Sequence, residues 1–178
     1  MDRHLKHLNK EEQEFIDLVY IQLKTFQETA EKLNIAYSRV QELNIELGKE
    51  WRPITKVRDK WKIKEKKNLE ENPTEYIKGN FWDFYDWVKT TVESCHYCGI
   101  TQAELNQLHL LEVENKRKTR GKTLEIDRKK ANEPYSNIPN LTYACYWCNN
   151  AKTDTFTEEE FMQIGAAIST IWKQRLGK

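Results

Sequence analysis

Apolar positions along the chain fall mostly at helical spacing. Phe15, Leu18, Val19, Leu23 and Phe26 make one stripe, which predicts a helix over Glu11–Phe26. Ala30, Leu33 and Ile35 line a second face, and Asn34 stands where a tight turn calls for a left-handed residue. Ser38 is then a candidate cap for a helix that turns Val40, Leu43 and Leu47 inward. Pro73 and Thr74 mark another helix start, followed by a stripe of Phe81, Phe84, Tyr85 and Val88. Trp82 and Trp87 fall off that stripe, so this helix should be covered on two sides. After Gly121 the pattern changes, and "KTLEIDR" and "NLTYACY" read as strands. Asn149 and Asn150 lead into a short helix, and Glu158–Leu176 is a final amphipathic helix. The pattern predicts an α+β, mainly helical chain, with a helical domain over 1–67 and a second domain over 73–178. The boundary falls near Lys66–Asn72.

Composition narrows the class. The 178 residues are 38% hydrophobic and 32% charged, which suits a soluble protein with modest cores. No apolar run approaches the ~20 residues a membrane span needs, and "MDRHLKHLNKEEQE" lacks the apolar stretch of a signal peptide. These features predict a cytoplasmic protein without a membrane partner, whose four cysteines serve as metal ligands rather than disulfides. Net charge is only +1, but it is unevenly placed. Trp51–Lys67 and Lys116–Lys130 each hold eight Lys or Arg against two acids, leaving about −11 on the rest. Two such segments are the footprint expected of a phosphate-binding surface, with Lys62, Lys64, Lys66, Lys67, Lys129 and Lys130 as candidate contacts; solvated connectors are the alternative. Trp51 and Trp61 could stack on bases, although anchoring a helix to a core is the commoner use.

Ala30, Asn34, Ile35, Val40 and Leu43 together resemble a helix-turn-helix of the sigma-factor-like kind. That resemblance implies a second helix, Ser38–Gly48, that enters the major groove of double-stranded DNA with Arg39, Gln41, Glu42 and Asn44 outward. Glu42, Glu46 and Glu50 depart from it by opposing phosphate approach. A plain helical hairpin packed on another element is the alternative.

All four cysteines lie in two knuckles, "CHYC" with Cys95 and Cys98, and "CYWC" with Cys145 and Cys148. Four thiolates are the ligand set of a closed tetrahedral zinc, which holds structure and leaves no open position for chemistry. The 46 residues between Cys98 and Cys145 leave room for a helix and a strand, and His96 reads as a bystander.

The first knuckle, the strand ending in Asp127, "NL" at Asn140–Leu141, and the second knuckle running into "CNNAK" resemble the HNH (ββα-metal) endonucleases with a four-cysteine zinc clamp. The match covers Cys95–Asp154, about a third of the chain. By this resemblance Asp127 and Asn149 hold a catalytic Mg²⁺ or Mn²⁺, Asn140 orients the backbone of the base, and Lys152 holds a phosphate. Read singly, Asn140 is a turn residue, Asn149 a helix cap, Lys152 a surface lysine and Asp127 a strand-end acid.

Arg128 departs from the family, standing where a histidine base is usual. Arginine does not deprotonate in proteins, but its fork suits an anionic transition state. Water activation then falls to Tyr135, whose ordinary pKa near ~10 must be lowered, to His109, to Glu125, or to a metal-bound hydroxide. The resemblance implies a metal-dependent DNA endonuclease, and leaves room for a homodimer. The alternatives are a catalytically silent, HNH-derived zinc-containing DNA-binding module and a zinc-stabilised protein-interaction module.

Overall fold

Four of the described helices start at a Thr or Asn that has a Glu three positions on. Asn9 with Glu12, Thr25 with Glu28, Thr101 with Glu104 and Thr157 with Glu160 all close reciprocal capping boxes. Each box satisfies two otherwise orphaned backbone donors and fixes where the helix begins. The computed structural model describes residues 3–61, 81–111 and 120–178. It is an α+β, mainly helical fold with one two-stranded sheet among the described residues.

The described residues form two compact units, one comprising 3–61 and 81–89, the other 90–111 and 120–178. In the first, α1 (Lys10–Ile16) runs into a π-helical turn over Asp17–Ile21, followed by α2 (Phe26–Leu33) and α3 (Tyr37–Trp51). Phe15, Ile16, Val40 and Leu43 are fully buried at its centre. The single helix expected over Glu11–Phe26 is interrupted. Leu23 takes a positive φ of 58° and is 53% exposed, and the Thr25 capping box restarts the chain. Asn34 does adopt the left-handed conformation, with φ 53° and ψ 46°. Ala36, not Ser38, is the N-cap of α3, so that helix begins without a side-chain cap.

Helix α4 (Phe81–Thr90) packs in the first unit, although the sequence grouped it with the second. Its aromatic face explains this. Trp82 meets Trp51 edge-on with ring centroids 6.2 Å apart, and Phe81 meets Trp61 at 5.7 Å. Trp51 is thus buried as a core anchor, and the half-buried Trp61 packs one edge on Phe81. Trp82 is buried and Trp87 half-buried, which fits a helix covered on two sides.

The second unit contains α5 (Gln102–Leu110), β1 (Glu125–Arg128), β2 (Leu141–Ala144), α6 (Tyr146–Lys152) and α7 (Glu158–Arg175). β1 and β2 pair antiparallel, with Glu125 opposite Ala144, Asp127 opposite Thr142 and Arg128 opposite Leu141. A short 3-10 turn over Ile138–Asn140 feeds β2. The core gathers the four cysteines with Tyr97, Ile100, Leu105, Leu108, Phe161 and Trp172. No described helix is long and apolar enough to cross a membrane.

Candidate active site

The two knuckles converge because β2 delivers the second directly beside the first. The backbone N–H of His96 donates to the Tyr143 carbonyl at 2.8 Å, stitching the first knuckle to β2. All four sulfurs lie within 4.8 Å of one another and all four cysteines are buried. A tetrahedron of zinc–sulfur bonds about 2.3 Å long places its sulfurs roughly 3.8 Å apart. The Cys98 and Cys145 sulfurs stand 3.8 Å apart, far beyond a disulfide bond, and all four cysteines are free. Hydrogen bonds from Cys145 and Cys148 hold the Cys95 thiol below its ordinary pKa, whereas those to Cys145, Cys95 and Cys98 push Cys148 above it. Four thiolates cannot share one buried site unless a cation neutralises them. The donor set therefore fits a metal such as zinc. His96 lies outside the cluster, with its Nε2 2.6 Å from Glu158 Oε1.

Strand β1 carries the rest of the candidate site. Its two-residue period puts Glu125 and Asp127 on one face and Ile126 and Arg128 on the other. Asn149, on α6, donates from Nδ2 to Glu125 Oε2 at 2.5 Å, so it lies against the acidic face of β1. That bond also orients the amide: with nitrogen toward Glu125, Oδ1 remains available to a cation. Asp127 is 9% exposed and accepts a hydrogen bond from the Tyr97 hydroxyl at 3.2 Å. The expectation that Asn149 caps α6 is corrected. Helix α6 begins at Tyr146 with Cys145 as its N-cap residue, so the second knuckle itself forms the first turn.

Asn140 binds the loop after β1 through both ends of its amide. Its Oδ1 accepts from the Lys130 N–H and its Nδ2 donates to the Lys130 carbonyl, each at 2.9 Å. The Lys129 N–H donates to the Asn140 carbonyl, also at 2.9 Å. The asparagine therefore staples the backbone two residues beyond Arg128. Arg128 donates from Nη1 to the Glu133 carbonyl at 3.2 Å, and its guanidinium lies 4.6 Å from the centre of the Tyr135 ring.

Lys152 is a correction. It is 1% exposed and donates to the Arg128 carbonyl at 3.0 Å, with its ammonium 5.9 Å from the Tyr97 ring centre. A lysine sealed from solvent and bonded to backbone holds the end of β1 rather than a phosphate. His109 lies on α5 with its Nε2 buried and without a hydrogen-bond partner among the described residues. Lys129 is half-buried, and Lys130 is exposed with its ammonium 3.3 Å from Glu133.

In the first unit, Arg39 is held by carboxylates. Its guanidinium lies 3.0 Å from Glu11, 3.3 Å from Glu42 and 3.4 Å from Glu46. Asn44 accepts from the Tyr20 hydroxyl at 2.9 Å, while Gln41 and Glu42 are exposed. The acidity that departs from the helix-turn-helix pattern is thus partly neutralised, by the arginine expected to meet DNA. Lys62, Lys64, Lys66 and Lys67 lie outside the described residues.

A solved structure resembles this one. It is the rare-cutting HNH restriction endonuclease PacI, described for its mechanism of DNA perturbation. The match has a TM-score of 0.55 and 29% sequence identity, covering 67% of this chain and 81% of PacI. No family model matches the sequence, and no curated protein matches it. The likeness to PacI supports an HNH-type fold around the four cysteines.

Sequence reasoning missed Tyr97 and Gly165. Tyr97 sits inside the "CHYC" knuckle, where spacing draws attention to its neighbours. Gly165 lies in α7 against Tyr97, where an added Cβ would come 2.4 Å from the Tyr97 carbonyl oxygen. Only the folded packing reveals either role.

Proposed function

We propose that this chain is a metal-dependent DNA endonuclease that hydrolyses phosphodiester bonds at an HNH-type site with Arg128 in place of the histidine base. The observation that carries this reading is the acidic face of β1. Glu125 and Asp127 share that face, and Asn149 is oriented toward it by its bond to Glu125. The likeness to PacI supports the same chemistry. Asp127 and the Asn149 Oδ1 are the residues that would hold a Mg²⁺ or Mn²⁺ ion. Such an ion would neutralise charge on the scissile phosphate and stabilise the leaving oxygen.

The protein's own groups then have separate tasks. Asn140 and Lys152 fix the backbone at and just beyond Arg128, through Lys130 and through the Arg128 carbonyl. Arg128 supplies positive charge to the pentacovalent phosphate, a role for which its fork is better shaped than an ammonium. Tyr135, against which the Arg128 guanidinium packs, accepts the proton of the attacking water. The step requires Tyr135 to enter as the phenolate. The N-terminal unit and its basic segment dock double-stranded DNA, with Gln41 on the exposed face of α3. A homodimer would present two such sites, one to each strand.

The test is cleavage of plasmid DNA by zinc-loaded protein with Mg²⁺ or Mn²⁺. Cleavage should require Asp127, and Arg128→Ala should lower the rate by ~10²–10³, with zinc content and folding unchanged. Arg128→Lys should recover part of it. Undiminished cleavage by Asp127→Ala would refute the reading. Salt-sensitive DNA binding without cleavage would identify the silent binding module instead.

A further inference from the structure

We infer that Tyr97 is a positioning residue that transmits the geometry of the four-cysteine centre to the metal-ligating carboxylate of Asp127. The inference rests on the proposed role of Asp127 as a ligand. Tyr97 stands between Cys95 and Cys98, so its backbone is set wherever those two sulfurs are set. Its hydroxyl donates to Asp127 Oδ2 at 3.2 Å, and the residue is 3% exposed.

Three contacts leave the residue little freedom. Phe161 meets it edge-on, with centroids 5.1 Å apart and planes at 88°. The Lys152 ammonium lies 5.9 Å from its centre. Behind it, α7 approaches so closely that a Cβ added at 165 would stand 2.4 Å from the Tyr97 carbonyl oxygen. The knuckle is further fixed by the bond from the His96 N–H to the Tyr143 carbonyl at 2.8 Å and from the Gly99 N–H to the Cys95 carbonyl at 2.8 Å.

Asp127 needs such a partner. Strand pairing fixes its backbone, but not the rotation of its carboxylate. A hydroxyl on Oδ2 selects one orientation and leaves Oδ1 for a cation. Carboxylates that bind metals are commonly held this way, and loss of the outer partner typically weakens metal affinity by roughly 10–100-fold. A tyrosine that merely satisfies a buried carboxylate would affect stability alone.

The experiment is Mn²⁺ titration of the zinc-loaded protein, followed by electron paramagnetic resonance, on wild type, Asp127→Ala and Tyr97→Phe. Plasmid cleavage is measured in parallel against Mn²⁺ concentration. Wild type should bind Mn²⁺ in an Asp127-dependent manner, and Tyr97→Phe should bind roughly 10–100-fold more weakly while keeping its zinc. Its cleavage should recover at high Mn²⁺, a shift in apparent metal affinity rather than in maximal rate. Unchanged Mn²⁺ affinity in Tyr97→Phe would overturn the inference even if wild type cuts DNA. Asp127-dependent Mn²⁺ binding without cleavage would reject the nuclease reading and leave the inference to be judged by affinity. Absence of such binding in wild type would overturn the inference outright.

Discussion

Replacing Gly165 with alanine adds one methyl group to the middle of α7, and two effects of opposite sign compete. In an exposed helix interior the change stabilises by about 1 kcal/mol, because glycine loses more backbone freedom than alanine on folding. At Gly165 the new Cβ would lie 2.4 Å from the Tyr97 carbonyl oxygen, 2.7 Å from its carbonyl carbon and 2.9 Å from its Cβ. Normal contacts begin near ~3.5 Å, so helix and knuckle must separate by about an ångström. Two of those atoms are backbone, held between two members of the four-cysteine cluster, and cannot swing aside like the end of a side chain. Overpacking of this kind costs about 1–3 kcal/mol, and the clash should win. Gly165→Ala is expected to destabilise the zinc-loaded protein by about 1–2 kcal/mol in urea denaturation.

Gly48 in α3 provides the contrast. There an added Cβ meets the Tyr20 hydroxyl at 3.1 Å and the Arg52 Nη2 at 3.2 Å, both at side-chain ends that can yield. Gly48→Ala should be neutral or stabilising by up to about 1 kcal/mol. The same substitution would then carry opposite signs in two helices. If Gly165→Ala stabilises as much as Gly48→Ala, the close approach of α7 to the knuckle is not a constraint and the reasoning fails.

Asn140→Ala removes both bonds to the Lys130 backbone and should destabilise by about 1–3 kcal/mol; Asn140→Asp should also fail, because its carboxylate would face the Lys130 carbonyl, and denaturation curves matching wild type would contradict this. Removing zinc with a strong chelator, or replacing Cys148 with serine, should unfold the second unit, as followed by circular dichroism and elemental analysis, because the ligands form the centre of its core. The Lys178 ammonium, together with the Thr101 N–H, holds the Glu104 carboxyl down to about 2. Its contribution to stability is thus present above the ordinary carboxylate value and lost as pH falls toward about 2; Glu104→Gln should erase that part of the pH dependence. Comparing the two proteins' melting temperatures along the same acid series isolates this effect from proton competition for the thiolates.

The sequence by itself determined the pieces whose physics is local. Two Cys-x2-Cys knuckles state the ligand set, because four thiolates with none left over have one economical use. Helical stripes located most helices, since apolar positions that face a core recur at the period of the helix itself, whereas the capping boxes that fix their starts went unread. The strands were legible within "KTLEIDR" and "NLTYACY", of which Glu125–Arg128 and Leu141–Ala144 pair, and with them the shared face of Glu125 and Asp127. Contacts between distant segments were not legible. Lys152 has the look of a surface lysine, yet α6 turns it inward to the Arg128 carbonyl. A long apolar stripe hid the break at Leu23, because a stripe does not report where a π turn ends a helix. Helix α4 joined the first unit through aromatic rings far away in the chain. The bond from Tyr97 to Asp127 spans thirty residues, and only folding, which places the knuckle behind β1, brings the hydroxyl to the carboxylate. Hydrogen bonds within a turn are set by covalent reach, whereas those between elements depend on how the core packs, and no single segment encodes that.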